Sequence, residues 1–193
     1  MTALRTDEED RSSSEARFET LYERYHGHVR AYCRRRVVPD RVDDVVAETF
    51  LTAWKRIADV PDGGAALLWL YRVAYRNVGH QWRGQSRRRR LDERLAVVPE
   101  PPTATPEDAA VLDDEIHLVL EAAANLNERD AEILRLLSWE HLSREEIAEV
   151  LDLNRAAVNQ RIHRARANLT KEFRRLERRR PDRTPAAPKG GTP

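Results

Sequence analysis

The sequence predicts an all-α protein of two small helical domains joined by a flexible linker, the C-terminal one a helix-turn-helix. Apolar residues recur at spacings of three and four, the period of an amphipathic helix, and nowhere alternate as a half-buried strand requires. Proline and glycine concentrate in Pro99–Pro106 (PEPPTATP) and Pro181–Pro193, which read as a linker and a disordered end. Ten of the aromatic residues lie between Phe18 and Trp82, so two modest cores of different composition are expected rather than one large one.

Composition removes several classes. Of 193 residues 35% are charged, with 34 Lys plus Arg against 33 Asp plus Glu and a net charge of +1. With a mean hydropathy of −0.73, no stretch approaches the ~20 apolar residues of a membrane span. The acidic first ten residues lack the apolar core of a secretory signal, so a cytoplasmic protein is expected. A lone Cys33 forms no internal disulfide and does not make a structural zinc site.

The elements follow in order. Phe18, Leu21, Tyr22, Tyr25, Val29 and Tyr32 form one helical stripe, ending near Pro39. Val42, Val45, Val46, Thr49, Phe50, Ala53 and Ile57 form a second, closed by the turn residues of Asp59–Gly64 (DVPDGG). Leu67, Leu70, Tyr71, Ala74, Val78 and Trp82 form a third. Beyond the linker a helix is expected from about Pro106 to Asn125, with proline in its first turn and acidic residues following, as the helix dipole favours. Asn127 can cap the next, Ser143 with Glu146 fits a capping box, and Asn154 can cap a last helix reaching Arg179.

The last two helices carry the most specific pattern. Ile147, Ala148, Leu151, Leu153 and Val158 stand where two steeply crossed helices touch, with Asp152-Leu153-Asn154 as the turn between them. Asp152 suits a left-handed backbone there better than most residues. With Val158, Ile162, Ala165 and Leu169 buried, Ala156, Asn159, Gln160 and His163 face outwards, flanked by Arg155, Arg161, Arg164 and Arg166. Asn and Gln can pair bidentately with adenine; arginine binds phosphate or guanine.

Charge is segregated to match. Glu107–Glu149 holds 13 acidic and 3 basic residues, Arg155–Arg180 holds 10 basic and 2 acidic, and a further basic block spans Arg83–Arg94. Two basic blocks, each ending a helical unit, point to nucleic acid. On the third helix Trp69, Arg72, Arg76, His80 and Arg83 share a face opposite Leu70, Ala74 and Val78, so cations there can follow the phosphates of a single strand. Trp69 fits either that face or the core, whereas Tyr71, Tyr75 and Trp82 read as packing residues. On the second helix Asp43, Asp44 and Glu48 rim the apolar stripe, suiting a partner helix rich in Arg or Lys.

Three segments together resemble a known family. Leu126–Asp130, Leu142–Leu151 and Val158–Arg166 are similar to the promoter-reading C-terminal domain of extracytoplasmic-function sigma factors of the sigma-70 family. Asp43–Trp54 (DDVVAETFLTAW) is close to that family's polymerase-clamp helix, and Trp69–Ala74 (WLYRVA) to the start of its helix for the melted minus-ten element. The order and spacing also agree, over Phe18–Arg90 and Pro106–Phe173. Asn127, Asp152, Ala156-Ala157 and Asn159-Gln160 depart from the family's usual Pro, Gly, Gly-Thr and Lys-Ser.

The resemblance implies region 2 over 15–97, a linker over 98–106 and region 4 over 107–178, between a disordered acidic N-terminus (1–14) and a disordered tail (179–193). It implies core RNA polymerase binding by Asp43, Asp44, Glu48 and Phe50. Minus-ten contacts are expected from Asp62, Trp69, Arg72, Arg76, Asn77, His80 and Arg83. Minus-thirty-five contacts are expected from Arg155, Ala156, Asn159, Gln160, Arg161, His163 and Arg164. The implied partners are core RNA polymerase, promoter DNA and an anti-sigma factor, with no membrane insertion and no small-molecule substrate.

Enzymatic signals are poor. His26-Gly27-His28 has no second ligand pair at metal spacing, and there is no phosphate-binding glycine loop, HExxH or GxSxG. No cofactor or catalytic residue is expected, and Cys33 reads as a small buried hydrophobe. A regulator that binds DNA without polymerase would leave the clamp motif unexplained, and a helical adaptor would leave the arginines of the recognition face unexplained.

Overall fold

The computed structural model describes the backbone of residues 2–91 and 114–179, and the side chains of 11–80 and 116–179. All the regular structure among them is helical: α1 (Thr2–Arg34), α2 (Pro39–Lys55), a 3-10 turn (Ile57–Asp59), α3 (Ala65–Leu91), α4 (Asp114–Ala124), α5 (Glu128–Ser138), α6 (Arg144–Leu151) and α7 (Arg155–Arg179). No described helix is long and apolar enough to cross a membrane. The linker over 98–106, the expected start of α4 at Pro106 and the tail from residue 180 lie outside the described residues.

The first three helices pack as their stripes predict. Val42, Val45, Val46, Thr49, Phe50 and Ala53 of α2 are all buried, as are Leu70, Ala74 and Val78 of α3 and Leu21, Tyr25, Val29 and Tyr32 of α1. Each such aliphatic side chain contributes about 1.5–3 kcal/mol by leaving water. Thr49 stands in an apolar stripe without penalty because its hydroxyl donates to Val45 O at 2.7 Å. The turn into α3 is fixed from α1: Tyr25 donates to Gly63 O at 2.8 Å and Arg17 to Val60 O at 2.5 Å. Gly63 has φ of 64°, a left-handed conformation natural to glycine.

Helix α1 corrects one expectation, since the segment 1–14, read as disordered, is helical from Thr2. No Gly or Pro interrupts the chain before Gly27, and Arg11 and Glu15, one turn apart, pair at 3.2 Å.

In the second half the expected caps are present. The Asn127 side chain accepts from Asp130 N at 3.0 Å, and Asn154 accepts from Ala157 N at 2.8 Å. Ser143 and Glu146 form the reciprocal capping box, with Glu146 N donating to Ser143 Oγ at 3.2 Å and Ser143 N to Glu146 Oε2 at 2.7 Å. Asp152 ends α6 at φ 56° and ψ 52°, so aspartate does take the left-handed position of the tight turn. Leu118 and Ala122 of α4 form a satellite cluster with Leu176, flanked by Leu169 and Phe173 of α7.

The two halves do not keep separate main cores. Buried residues of α1, α2 and α3 form one continuous cluster with Ile133, Leu136, Leu142, Ile147, Val150, Val158, Ile162 and Ala165. At the joint the Tyr32 and Tyr71 rings stack with centroids 4.9 Å apart. Tyr32 donates to Glu132 Oε1 at 2.9 Å, Arg36 Nε to Glu132 Oε2 at 2.8 Å and Arg36 Nη1 to Glu140 Oε1 at 2.9 Å. The side chains of Arg36, Glu132 and Glu140 are 0%, 1% and 2% exposed. Hydropathy patterning assigns such charges to water, so it gives no sign of a core that crosses between the halves.

Candidate nucleic-acid interface

Three surfaces hold the side chains singled out above. The first is an open groove along α2, lined by Phe18, Asp44, Glu48, Phe50, Leu51 and Trp54. Its aromatic wall is built edge-to-face: Phe18 lies 5.3 Å from Trp54 at 74° and 6.3 Å from Phe50 at 84°, and Tyr22 lies 4.8 Å from Phe50. Asp43 pairs with Arg30 at 3.3 Å and Asp44 with Arg41 at 3.1 Å, both in contact with water, while Glu48 is exposed. Phe50 is only 3% exposed, so it forms the floor and not the contact rim. The exposed apolar residues are its neighbours Leu51 and Trp54, at 52% and 36%. Their signal is visible in the sequence: apolar residues three apart on α2 that lie off its core stripe.

The second surface is the outer face of α3. Arg76 and His80 are exposed there, and Trp69 is half-buried against the main core. Tyr71 is buried, and desolvation pushes its phenol up to about 12, as befits a packing residue. Two side chains of the expected set have protein partners, Asn77 in the interior and Asp62 on a surface where it stays 94% exposed. Asn77 turns inwards and donates to Thr49 Oγ1 at 3.2 Å, and Asp62 accepts from Arg17 at 2.8 Å. Arg72 is on the predicted face but is not open: its Nη2 lies 3.1 Å from Asp152 Oδ1 at the helix-turn-helix turn. Arg83 lies in α3, with its side chain outside the described residues.

The third surface is α7. Val158, Ile162 and Ala165 are buried, whereas Ala156, Asn159, Gln160 and His163 are exposed on one side. A shallow groove joins Asn159, His163, Arg166 and Thr170 to Arg144 of α6. Arg144 was legible only as a residue of the family-like segment; the fold brings its cation beside the recognition face. Arg155 pairs with Glu145 at 3.0 Å, and Arg161 is half-buried. Arg164 lies 3.5 Å from the buried Asp130, whose Oδ2 also accepts from Asn168 at 2.6 Å and Asn127 at 2.7 Å. Burial alone would raise the Asp130 carboxyl, but these amide bonds and the Arg164 cation hold it below the usual range.

The titratable groups between the surfaces are structural. Burial pushes the Cys33 thiol up to about 12, consistent with an inert buried hydrophobe. Burial also raises the Tyr32 phenol well above its ordinary value, and the neighbouring Glu132 adds to that. His26 packs among aromatic rings, 4.8 Å from Tyr22.

Comparison with known proteins adds to this geometry. Residues 21–88 match the family model for sigma-70 region 2, and residues 116–169 that for sigma-70 region 4. The chain is 29% identical over 167 residues to the ECF RNA polymerase sigma-E factor of Haemophilus influenzae, covering 82% of this chain and 88% of that protein. It is 28% identical over 170 residues to the Escherichia coli factor of the same name, covering 84% and 89%. A Xanthomonas campestris pv. campestris protein described as a probable RNA polymerase sigma factor, RfaY, is 31% identical over 135 residues; the match spans 68% of this chain and about a third of that protein's length, 34%. The fold is similar to Bartonella quintana RpoE in its complex with the anti-sigma factor NepR, with a TM-score of 0.65 at 20% identity over 81% of this chain and 96% of the other.

Proposed function

Because the chain belongs to the extracytoplasmic-function group of the sigma-70 family, we propose that it binds core RNA polymerase and directs promoter-specific initiation, region 2 melting the minus-ten element and region 4 reading the minus-thirty-five element. The observation that carries this reading is the coexistence in one chain of an acid-rimmed apolar groove on α2 and an arginine-flanked polar face on α7. A DNA-binding regulator needs only the second.

The groove offers Leu51, Trp54 and the Phe18 ring as apolar contacts, with Asp44 and Glu48 placed to meet basic side chains at the rim. On α3, Arg76 and His80 face solvent where a single strand's phosphates would run, and Arg72 joins them once released from Asp152. On α7, Asn159, Gln160 and His163 are placed to reach base edges, with Arg155, Arg161 and Arg166 beside them for phosphates. Arg164 has a structural duty towards Asp130 and contributes less to DNA. Polymerase supplies the chemistry, and the protein acts by binding alone. An anti-sigma factor is the regulatory partner, a pairing supported by the RpoE–NepR complex.

Co-purification with core polymerase tests the docking assignment. Asp44→Arg with Glu48→Arg should abolish core binding and leave the fold intact, since exposed substitutions change stability by no more than about 0.5 kcal/mol. Wild-type core affinity in that double variant would refute it.

A further inference from the structure

The segment that joins α2 to α3 is tied to α1 at both of its ends. Arg17 Nη2 donates to Val60 O at 2.5 Å and to Asp62 Oδ1 at 2.8 Å, and Tyr25, about two turns further along α1, donates to Gly63 O at 2.8 Å. Val60 itself is buried in the main core. The outer side of the segment is nevertheless open: a methyl group on Gly63 or Gly64 would meet nothing within 4 Å, and the Asp62 side chain is 94% exposed. An ion pair so exposed adds little to stability. What the Arg17 guanidinium supplies is geometry, since one cation fixes the backbone at Val60 and the carboxylate of Asp62 together.

The position of the segment gives that geometry a use. Ala65, Trp69, Arg72 and Arg76 recur at intervals of four, three and four, so the segment ends where the outer face of α3 begins. A single strand whose phosphates run along Arg76 towards the start of α3 brings a base against Asp62. With Oδ1 held by Arg17, Oδ2 has no hydrogen-bond partner among the described residues and is left as an acceptor. A carboxylate oxygen accepts from the exocyclic amine that adenine, cytosine and guanine carry, and repels the carbonyl oxygen that thymine presents instead. Arg17 lies before the residues matched to the region 2 model, 21–88, so the family pattern does not supply it.

We propose that Arg17 is a positioning residue for base readout in the melted strand: it holds Asp62 so that the free carboxylate oxygen accepts from the exocyclic amine of one unpaired base and disfavours thymine at that place. The proposal rests on the reading of the outer face of α3 as the strand contact. Arg17 itself touches no nucleotide, so its loss leaves the cations of α3 in place and releases only the carboxylate. Asp62→Ala removes the acceptor at an exposed site, where substitution costs the fold little.

The test uses holoenzyme assembled from the full chain and core polymerase, with a randomised single-stranded DNA library as the probe, selected and sequenced for wild type and for each variant. Wild type should disfavour thymine about tenfold at one position, the discrimination expected of a single hydrogen bond to a charged group. Arg17→Ala and Asp62→Ala should each reduce that bias to less than about twofold and leave the other positions unchanged, and the double variant should be no flatter than Asp62→Ala alone, because both act through one contact. Arg76→Ala should instead weaken all strands alike. A thymine bias that persists in Arg17→Ala but is lost in Asp62→Ala overturns the positioning role, and one that persists in both overturns the readout by Asp62. Uniform weakening by Arg17→Ala with the bias intact also overturns it, leaving Arg17 a structural residue only. Undiminished strand affinity in Arg76→Ala contradicts the strand reading of α3, a failure that the Arg17 and Asp62 variants do not produce.

Discussion

Asn77 Nδ2 lies 3.2 Å from Thr49 Oγ1, and the hydrogen bond it donates ties α3 to the centre of α2. A side chain placed by family resemblance among the minus-ten contacts thus braces the angle between α2 and α3. Thr49 is fully buried, and its hydroxyl also needs its bond to Val45 O.

Asn77→Ala should therefore lower stability by about 1 kcal/mol, the typical net value of such a bond. Urea unfolding measures this. Promoter opening at saturating polymerase should fall less than in Arg76→Ala, whose side chain faces solvent on the same helix. The reverse order would return Asn77 to the DNA-contacting set.

Arg72→Ala with Arg76→Ala should impair open-complex formation and spare closed-complex recruitment. Permanganate reactivity of unpaired thymines around the start site reports the first, and retention of duplex promoter the second. Normal opening would make both arginines surface charges only.

Asn159→Ala and Gln160→Ala should relax preference at one or two positions of the upstream element, costing about 1–3 kcal/mol per lost bidentate contact. Loss of Arg155 or Arg166 should instead weaken all sequences alike and reduce the salt slope by about one per phosphate contact. Site selection at two salt concentrations separates the two patterns. Arg164→Ala should additionally lower stability, because its cation faces the buried Asp130.

Asp130 also sets a pH dependence. Its folded-state pKa is depressed, so the unfolded chain takes up the proton first as pH falls. The stabilisation is complete above the ordinary carboxylate pKa of about 3.9 and is lost as pH falls through the folded-state value below it. In urea melts Asp130→Ala should flatten the stability profile in that acidic window. An unaltered profile would remove Asp130 as its source.

The helices and caps were legible because each rests on a local rule: Ser143 and Glu146 are three apart, and Val42, Val45, Val46 and Thr49 share one face. The joint was not legible. Arg36 and Glu132 are 96 residues apart, and nothing local distinguishes a charge that will be buried from one that will be solvated. The one hint is Glu132 itself, which stands beside Ile133 and one turn before Leu136, on the inward side of α5. Site residues divided in the same way. Helical periodicity puts Asn159, Gln160 and His163 on the side of α7 that the fold leaves exposed, whereas Phe50 and Asn77, which the family motifs supply, face inwards. Leu51 and Trp54 lie off the buried stripe of α2, so the core pattern alone does not mark them.

The most direct measurement is in vitro transcription with purified core RNA polymerase on a genomic fragment library, with and without this chain. Defined transcripts should appear only when the chain is present and should share a spaced pair of upstream elements. They should disappear with Asp44→Arg/Glu48→Arg, which leaves the DNA-reading face intact. Transcripts that are the same without the chain, or that persist in the docking variant at wild-type levels, would contradict the account.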